Sequence, residues 1–205
     1  MPDQDRPQIT LITPPAFDLD VFPDRLARVM DAHDIACLRL ALAATDPDTI
    51  ARAADACRVI SHARDVAIVI ENHLKFVEPH GLDGIHLTDG ARQVRALRKD
   101  LGPDAIIGTY CGASRHDGMN AAEAGADYVA FGPAGDSPLG RAEPLDFDII
   151  EWWSQVIEVP CITEGALTPD LISRYAPVTD FFAIGPEIWG ADDAAVALGK
   201  LLAAL

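Results

Sequence analysis

The segment from Asp104 to Pro133, DAIIGTYCGASRHDGMNAAEAGADYVAFGP, sets two short runs rich in β-branched and aromatic residues, DAIIGTYC and DYVAFGP, on either side of an alanine-rich stretch, NAAEAG. That order reads as strand, helix, strand. Two strands joined through a helix run parallel, because a parallel pair needs a crossover rather than a tight turn.

The same theme continues in both directions. QITLITPP from Gln8, IACLRLAL from Ile35, DVAIVIEN from Asp65 and DGIHLTD from Asp83 read as strands upstream, and VPCITEG from Val159 and DFFAIGPE from Asp180 downstream. Helical patterns lie between them: FPDRLARVMDAH, DPDTIARAADACRVISHA, ARQVRALRKDLG, DFDIIEWWSQV and TPDLISRYA, with DDAAVALGKLLAAL as the last. The segment after Glu71 is short enough for only a turn of helix. Strand starts recur at roughly 18 to 32 residues, the spacing of βα units. Eight such units predict an α/β fold, a closed (β/α)8 TIM barrel formed as one domain by residues 1–205. The competing arrangement is an open doubly wound sheet, which the missing G-x-G-x-x-G after the first strand disfavours.

Composition agrees with one core. The chain has 205 residues, 49% of them hydrophobic, enough for one large core but not comfortably for two. No stretch is continuously apolar over the length that crosses a bilayer, and the N-terminal MPDQDRPQ has no signal-like pattern, so a soluble, cytoplasmic protein is expected. A formal net charge of -16 argues against nucleic acid and anionic membranes as partners. Cys37, Cys57, Cys111 and Cys161 stand singly without zinc-type spacing and read as reduced, mostly buried thiols.

In a barrel of this kind the chemistry sits at the C-terminal ends of the strands. Those ends are Thr13 to Pro15, Arg39 to Ala43, Glu71 to His73, His86 to Asp89, Thr109 to Gly112, Phe131 to Gly135, Thr163 to Gly165 and Gly185 to Glu187.

From His73 onward, GLDGIHLTD (Gly81 to Asp89), DAIIGTY (Asp104 to Tyr110), EAGADYVAFGP (Glu123 to Pro133), VPCITEGALTPD (Val159 to Asp170) and FFAIGPEIWGADD (Phe181 to Asp193) follow one another in an order that resembles the thiamine-phosphate synthase family and its thiazole tautomerase relatives. The family's versions look like ADGVHLGQ, IIGVS, EAGADYVGFGP, PVVAIGGI and GVAVVSAI. The resemblance implies a transferase of thiamine biosynthesis. Such an enzyme couples a pyrimidine diphosphate to a thiazole phosphate through a carbocation-like step, while magnesium neutralises the departing pyrophosphate.

At the strand ends Arg39, His86 and Glu164 are the candidate catalytic residues, and the resemblance implies phosphate binding at Gly165 and Gly185 and a pyrophosphate held by Arg39 and Arg141. Glu71, His73, Tyr110 and Arg141 are the candidate substrate contacts by position, and a mechanism of the family's kind would hold magnesium on Asn72 and Asp89. The implied ligand is a small molecule, a phosphorylated heterocycle. Departures are equally legible. The family's Q-x-R-x-K on strand two falls on Arg39, Ala41 and Ala43, its second magnesium carboxylate on Ala91, and its T-x-T-K loop on SPLG followed by Arg141. The glycine pair after strand seven becomes Glu164-Gly165, and V-S after strand eight becomes Gly185-Pro186 with Glu187 following. A tautomerase-like proton transfer tolerates these losses, because it needs only an acid–base residue beside a bound heterocycle, for which Glu164, His86 and His73 are candidates. A non-catalytic ligand-binding barrel is the reading from another class.

Each residue also has a plainer reading. His86 reads as a site histidine or as a barrel-interior histidine satisfied by a neighbour. Glu71, Asn72, His73 and Asp89 read as magnesium ligands or as an ordinary polar loop. Gly165 and Gly185 read as phosphate donors or as turn glycines. Cys111 reads more simply as a buried hydrophobe than as a nucleophile activated by Arg115 or His116. Arg39, within CLRLAL, must either line the mouth or pair with a carboxylate, for which Glu71 is the candidate. Of Trp152 and Trp153, one packs on the barrel and the other offers a surface for a homo-oligomer.

Overall fold

The computed structural model describes residues 6–136 and 144–205. Its eight strands close into one parallel barrel in chain order, each pairing with its sequence neighbours and the last with the first. The strands are β1 (Gln8–Ile12), β2 (Cys37–Leu40), β3 (Ala67–Glu71), β4 (Gly84–Leu87), β5 (Ile106–Tyr110), β6 (Tyr128–Phe131), β7 (Cys161–Glu164) and β8 (Phe181–Ile184). All eight lie where the sequence places them, so the closed barrel is the observed fold and the open sheet is excluded.

Around it, among the described residues, run α1 (Phe22–Ala32), α2 (Pro47–His62), α3 (Val94–Leu101), α4 (Arg115–Ala124), α5 (Phe147–Val156), α6 (Pro169–Tyr175), α7 (Pro186–Trp189) and α8 (Ala194–Leu202). The connection from β3 to β4 contains one 3₁₀ turn, Leu74–Phe76, the single turn its length allows. Side-chain oxygens open most of the helices. Asp46 accepts from the Thr49 N–H, Ser114 from Asp117, Thr168 from Leu171 and Asp193 from Val196, at 2.9 to 3.3 Å. The Ser114 cap starts α4 five residues before the alanine-rich stretch that marks it in the sequence. The short α7 was not expected. It follows β8 directly, with Pro186 in the first turn, where a missing N–H does no harm.

Strand side chains alternate between two environments. Leu38, Leu40, Ile68, Ile70, Ile85, Ile107, Val129 and Phe182 point outward into the core shared with the helices. There Trp153 is 0% exposed, its ring edge-to-face with Phe131 at 5.0 Å and its indole N–H donated to the Val159 carbonyl. Trp152 is only half-buried, with the Arg115 guanidinium over its ring.

The inward residues stack by register in layers of four drawn from alternate strands. Ile12, Glu71, Tyr110 and Glu164 form the layer at the mouth, and each pairs with one member of the layer beneath, Arg39, His86, Ala130 and Ala183. Below these come Thr10, Val69, Gly108 and Ile162, paired with Cys37, Gly84, Tyr128 and Phe181. In an eight-stranded barrel β2 faces β6 and β4 faces β8, so Arg39 lies opposite Ala130 and His86 opposite Ala183. Each large polar side chain thus faces a methyl group. Gly108 is required for the same economy of space, because a Cβ there would stand 1.9 Å from the Tyr128 ring. With no side chain in the way, that ring rises from the bottom layer towards His86.

The bottom of the barrel is fastened by aspartates. Asp83, Asp127 and Asp180 each stand immediately before an even-numbered strand and accept an N–H from the first or second residue of the preceding odd one, from Ile68, Ile107 and Cys161 at 2.7 to 2.8 Å. His62 also bonds Asp83 and Arg98 bonds Asp127, which ties α2 and α3 to the same points.

Replacing Trp153 with alanine removes the largest fully buried side chain, and urea denaturation is expected to show a loss of about 3–5 kcal/mol. A change below about 1 kcal/mol would mean the helix layer repacks without it.

Candidate active site at the barrel mouth

Arg39 occupies the second layer, 4% exposed, with its guanidinium directed up and across the barrel. Glu164 on β7 meets it bidentately, through Nη1 to Oε2 at 2.8 Å and Nη2 to Oε1 at 3.1 Å. Nη1 also lies 2.9 Å from His86 Nε2. A guanidinium only donates, so His86 Nε2 accepts and the ring proton sits on Nδ1, 2.9 Å from the Tyr128 hydroxyl oxygen. His86 is 1% exposed, and burial together with the adjacent cation pushes its pKa well below the ordinary histidine range. It is a neutral relay between Arg39 and Tyr128. Burial also pushes the Tyr128 hydroxyl well above its usual value. Burial works against the Arg39 cation, but the Glu164 carboxylate more than offsets it, so the guanidinium stays charged.

Glu71, the last residue of β3, is the carboxylate that this floor leaves available. Its Oε2 lies 3.7 Å from Arg39 Nε, within ion-pair reach but too far for a hydrogen bond, and that Nε–H has no hydrogen-bond partner among the described residues. Burial raises the Glu71 pKa, the nearby Glu164 charge adds to this, and Arg39 opposes it. Arg39 therefore has Glu164 as its main partner, with Glu71, the partner expected from the sequence, at a second distance. His73 sits beside Glu71, its N–H donated to the Glu71 carbonyl. Tyr110, on the other side of the mouth, donates its hydroxyl to the Gly132 carbonyl at 2.6 Å. It also lines a cleft of about 530 Å³ that runs between the loops after β4 and β5, with Asp89, Arg92 and Asn120.

The loops after β7 and β8 meet on the far rim. Gly165 has φ +88°, a conformation that favours glycine, and Gly185 lies where a Cβ would stand 2.8 Å from the Ile12 carbonyl oxygen. The Gly185 N–H is donated to Glu187 Oε2 at 2.9 Å, and the Leu167 N–H, from the loop after β7, to Oε1 of the same carboxylate at 3.1 Å.

A sequence model of the thiamine monophosphate synthase family matches residues 9–179. The chain belongs to this family. Among its relatives, the thiamine-phosphate synthase of Rhodospirillum centenum is 39% identical over 189 residues, 89% of each chain. That of Erythrobacter litoralis is 38% identical over 200 residues, covering 92% of this chain and 91% of the relative. Among solved structures, the thiamine phosphate pyrophosphorylase of Pyrococcus furiosus superposes with a TM-score of 0.79 at 16% identity, covering 96% of this chain and 94% of that one, a likeness of fold.

The magnesium site implied by the thiamine monophosphate synthase resemblance is not assembled. Asn72, with φ +58°, spends its amide on Thr88: Nδ2 donates to the threonine hydroxyl at 2.8 Å and Oδ1 accepts the Thr88 N–H at 3.1 Å. Asp89 is exposed on the rim, its carboxylate nearest Gln93, and no group of three or more metal-ligating side chains exists among the described residues. The donor set does not fit the ion. Arg141 lies outside the described residues. The Gly185 N–H, expected to hold phosphate, is already taken by Glu187. Cys111 is a buried thiol, pushed up to about 12 by burial, the plainer of its two readings.

The structure thus brings Arg39, His86, Glu164 and Glu71 together, with Tyr110 beside them, and leaves Asn72 and Asp89 apart. Sequence reasoning missed Tyr128 because it begins its strand and lies outside the strand-end search. The signal for it was Gly108 on the adjoining strand. It also missed that Glu187 would point at backbone rather than at a ligand.

Replacing Glu164 with glutamine leaves the buried Arg39 cation without its bidentate partner, and breaking such a pair destabilises by about 3–5 kcal/mol. Chemical denaturation is expected to show a loss of that order. A stability unchanged within about 0.5 kcal/mol would show that Glu71 or water compensates.

Proposed function

We propose that the chain is a thiamine-phosphate synthase-like protein of thiamine biosynthesis, residing in the cytoplasm, whose mouth handles one small heterocycle by acid–base chemistry. The family match and the names of relatives that align over about nine-tenths of their length support the class. The observation that supports the chemistry is Glu71, a half-buried carboxylate of raised pKa at the mouth that no described residue hydrogen-bonds.

In this reading Arg39 stays in place as a fixed positive charge, held by Glu164 and His86. Beside that charge the Glu71 carboxylate takes a proton from a bound ring and returns it at another position. Burial raises its pKa above the ordinary glutamate value, the direction that makes a carboxylate a stronger base for proton transfer. Glu71 takes over the acid–base role for which the sequence offered Glu164, His86 and His73. Glu164 is engaged with Arg39, and His86 is enclosed and neutral. No step requires a metal ion.

The second reading is the coupling that the family resemblance implies, a pyrimidine diphosphate joined to a thiazole phosphate. Overall identity near two-fifths favours it, and the unassembled magnesium site opposes it. One experiment separates them. Under the acid–base reading, a thiazole substrate in deuterium oxide loses a ring-bound proton signal in the NMR spectrum without magnesium, and Glu71→Gln slows this about 10²- to 10⁴-fold. Thiamine phosphate formed from the two coupling substrates only when magnesium is present would overturn the proposal in favour of the second reading.

The pH dependence follows from the direction of the Glu71 shift. The base form must be ionised, so exchange is expected to fall as pH drops through the Glu71 pKa, with a midpoint above that of an ordinary glutamate. An acid limb at or below the ordinary glutamate value would remove Glu71 from the mechanism.

A further inference from the structure

In barrels of this architecture an anion is frequently held by backbone N–H groups of the loops after the seventh and eighth strands. Here the corresponding loops already hold an anion, and it belongs to the chain. Glu187 places one carboxylate oxygen on the Gly185 N–H at 2.9 Å and the other on the Leu167 N–H at 3.1 Å, so a single side chain bridges both loops. Gly185 and Leu167 are buried, so each N–H needs a partner, and the carboxylate supplies it without a ligand. A phosphate entering this place would have to displace a hydrogen-bonded anion and then sit against its charge.

The second layer repeats the arrangement. The guanidinium of Arg39, enclosed just beneath the mouth, has both terminal nitrogens on Glu164. Glu71 stands at its third nitrogen. The Gly185 and Leu167 N–H groups and the Arg39 guanidinium are thus each engaged by a carboxylate from the same chain.

We infer that Glu187 is a specificity-determining residue that closes the loop-seven and loop-eight anion place, and that the mouth therefore selects a neutral or cationic heterocycle over its phosphate ester. The inference deepens the reading above only in taking the mouth as the ligand site. Its test concerns binding and does not depend on whether Glu71 moves a proton.

The test is a titration of the whole chain, uniformly labelled with ¹⁵N, with inorganic phosphate, followed through the amide signals of Gly185 and Leu167. In the wild type both signals are expected to stay in place, and shifts confined to other amides count as this result. In Glu187→Ala both are expected to move saturably. Hydroxyethylthiazole is expected to bind the wild type at least as tightly as its phosphate ester does, whereas Glu187→Ala favours the ester by about tenfold or more, the scale of charge-assisted hydrogen bonds. Saturable phosphate shifts at Gly185 and Leu167 in the wild type would overturn the inference. So would wild-type preference for the ester, or a folded Glu187→Ala whose two amides ignore phosphate. Should the alanine variant fail to fold, the wild-type titration decides by itself.

Discussion

A guanidinium enclosed within a barrel has to be neutralised, held in place and given room, and those three demands organise the interior of this protein. Neutralisation comes from Glu164, which reaches Arg39 from β7 with both carboxylate oxygens. Fixation comes from His86, whose acceptor nitrogen meets the cation and whose other nitrogen is held by Tyr128. Room comes from residues with almost no side chain: Ala130 across from Arg39, Ala183 across from His86, and Gly108 beneath the tyrosine ring. The polar network and the small residues make sense only together. An isolated buried charge is prohibitively costly, and a satisfied one still displaces volume that neighbouring positions must give up.

The same network determines what is left for chemistry. One cation shared between two carboxylates leaves an excess of negative charge, and the carboxylate with the poorer contact bears it. That is Glu71, 3.7 Å from Nε and open towards the mouth. Its pKa is raised chiefly by burial, with the Glu164 charge adding to the effect and Arg39 opposing it. A carboxylate in that position is suited to receiving and releasing a proton, and poorly suited to stabilising a departing polyanion. The geometry draws together the relatives' fold and a departure from the residue pattern that the family resemblance carries.

Most of the fold was legible in the sequence. The strand runs, their spacing and the turn residues between them repeat, and repetition makes even weak local signals add up to eight parallel units. The errors fell where a single atom decides the outcome. Helix α4 begins at Arg115 because the Ser114 hydroxyl caps it, although the alanine-rich stretch begins five residues later. The α7 turn follows a strand without a loop to announce it. For the site, the rule that function sits at strand ends placed Arg39, Glu71, His86, Glu164 and Glu187 in view. It could not say which way each would point. Glu164 turns inward to Arg39, Glu187 sideways to the Leu167 backbone as well as to its neighbour Gly185, and Asn72 onto Thr88, choices that depend on partners from other loops and strands.

The three aspartates beneath the barrel act at the opposite end from all of this. Asp83, Asp127 and Asp180 fasten neighbouring strands through backbone N–H groups, and two of them also anchor helices. Three of the strand pairs, β3–β4, β5–β6 and β7–β8, are thus fastened at the base, away from the mouth. An evolving lineage can lose a cation or gain a carboxylate at the rim without loosening the cylinder, so catalytic identity drifts while architecture is inherited intact. A barrel riveted at its base is a scaffold on which residues of the rim can change while the fastening of the strands below stays the same.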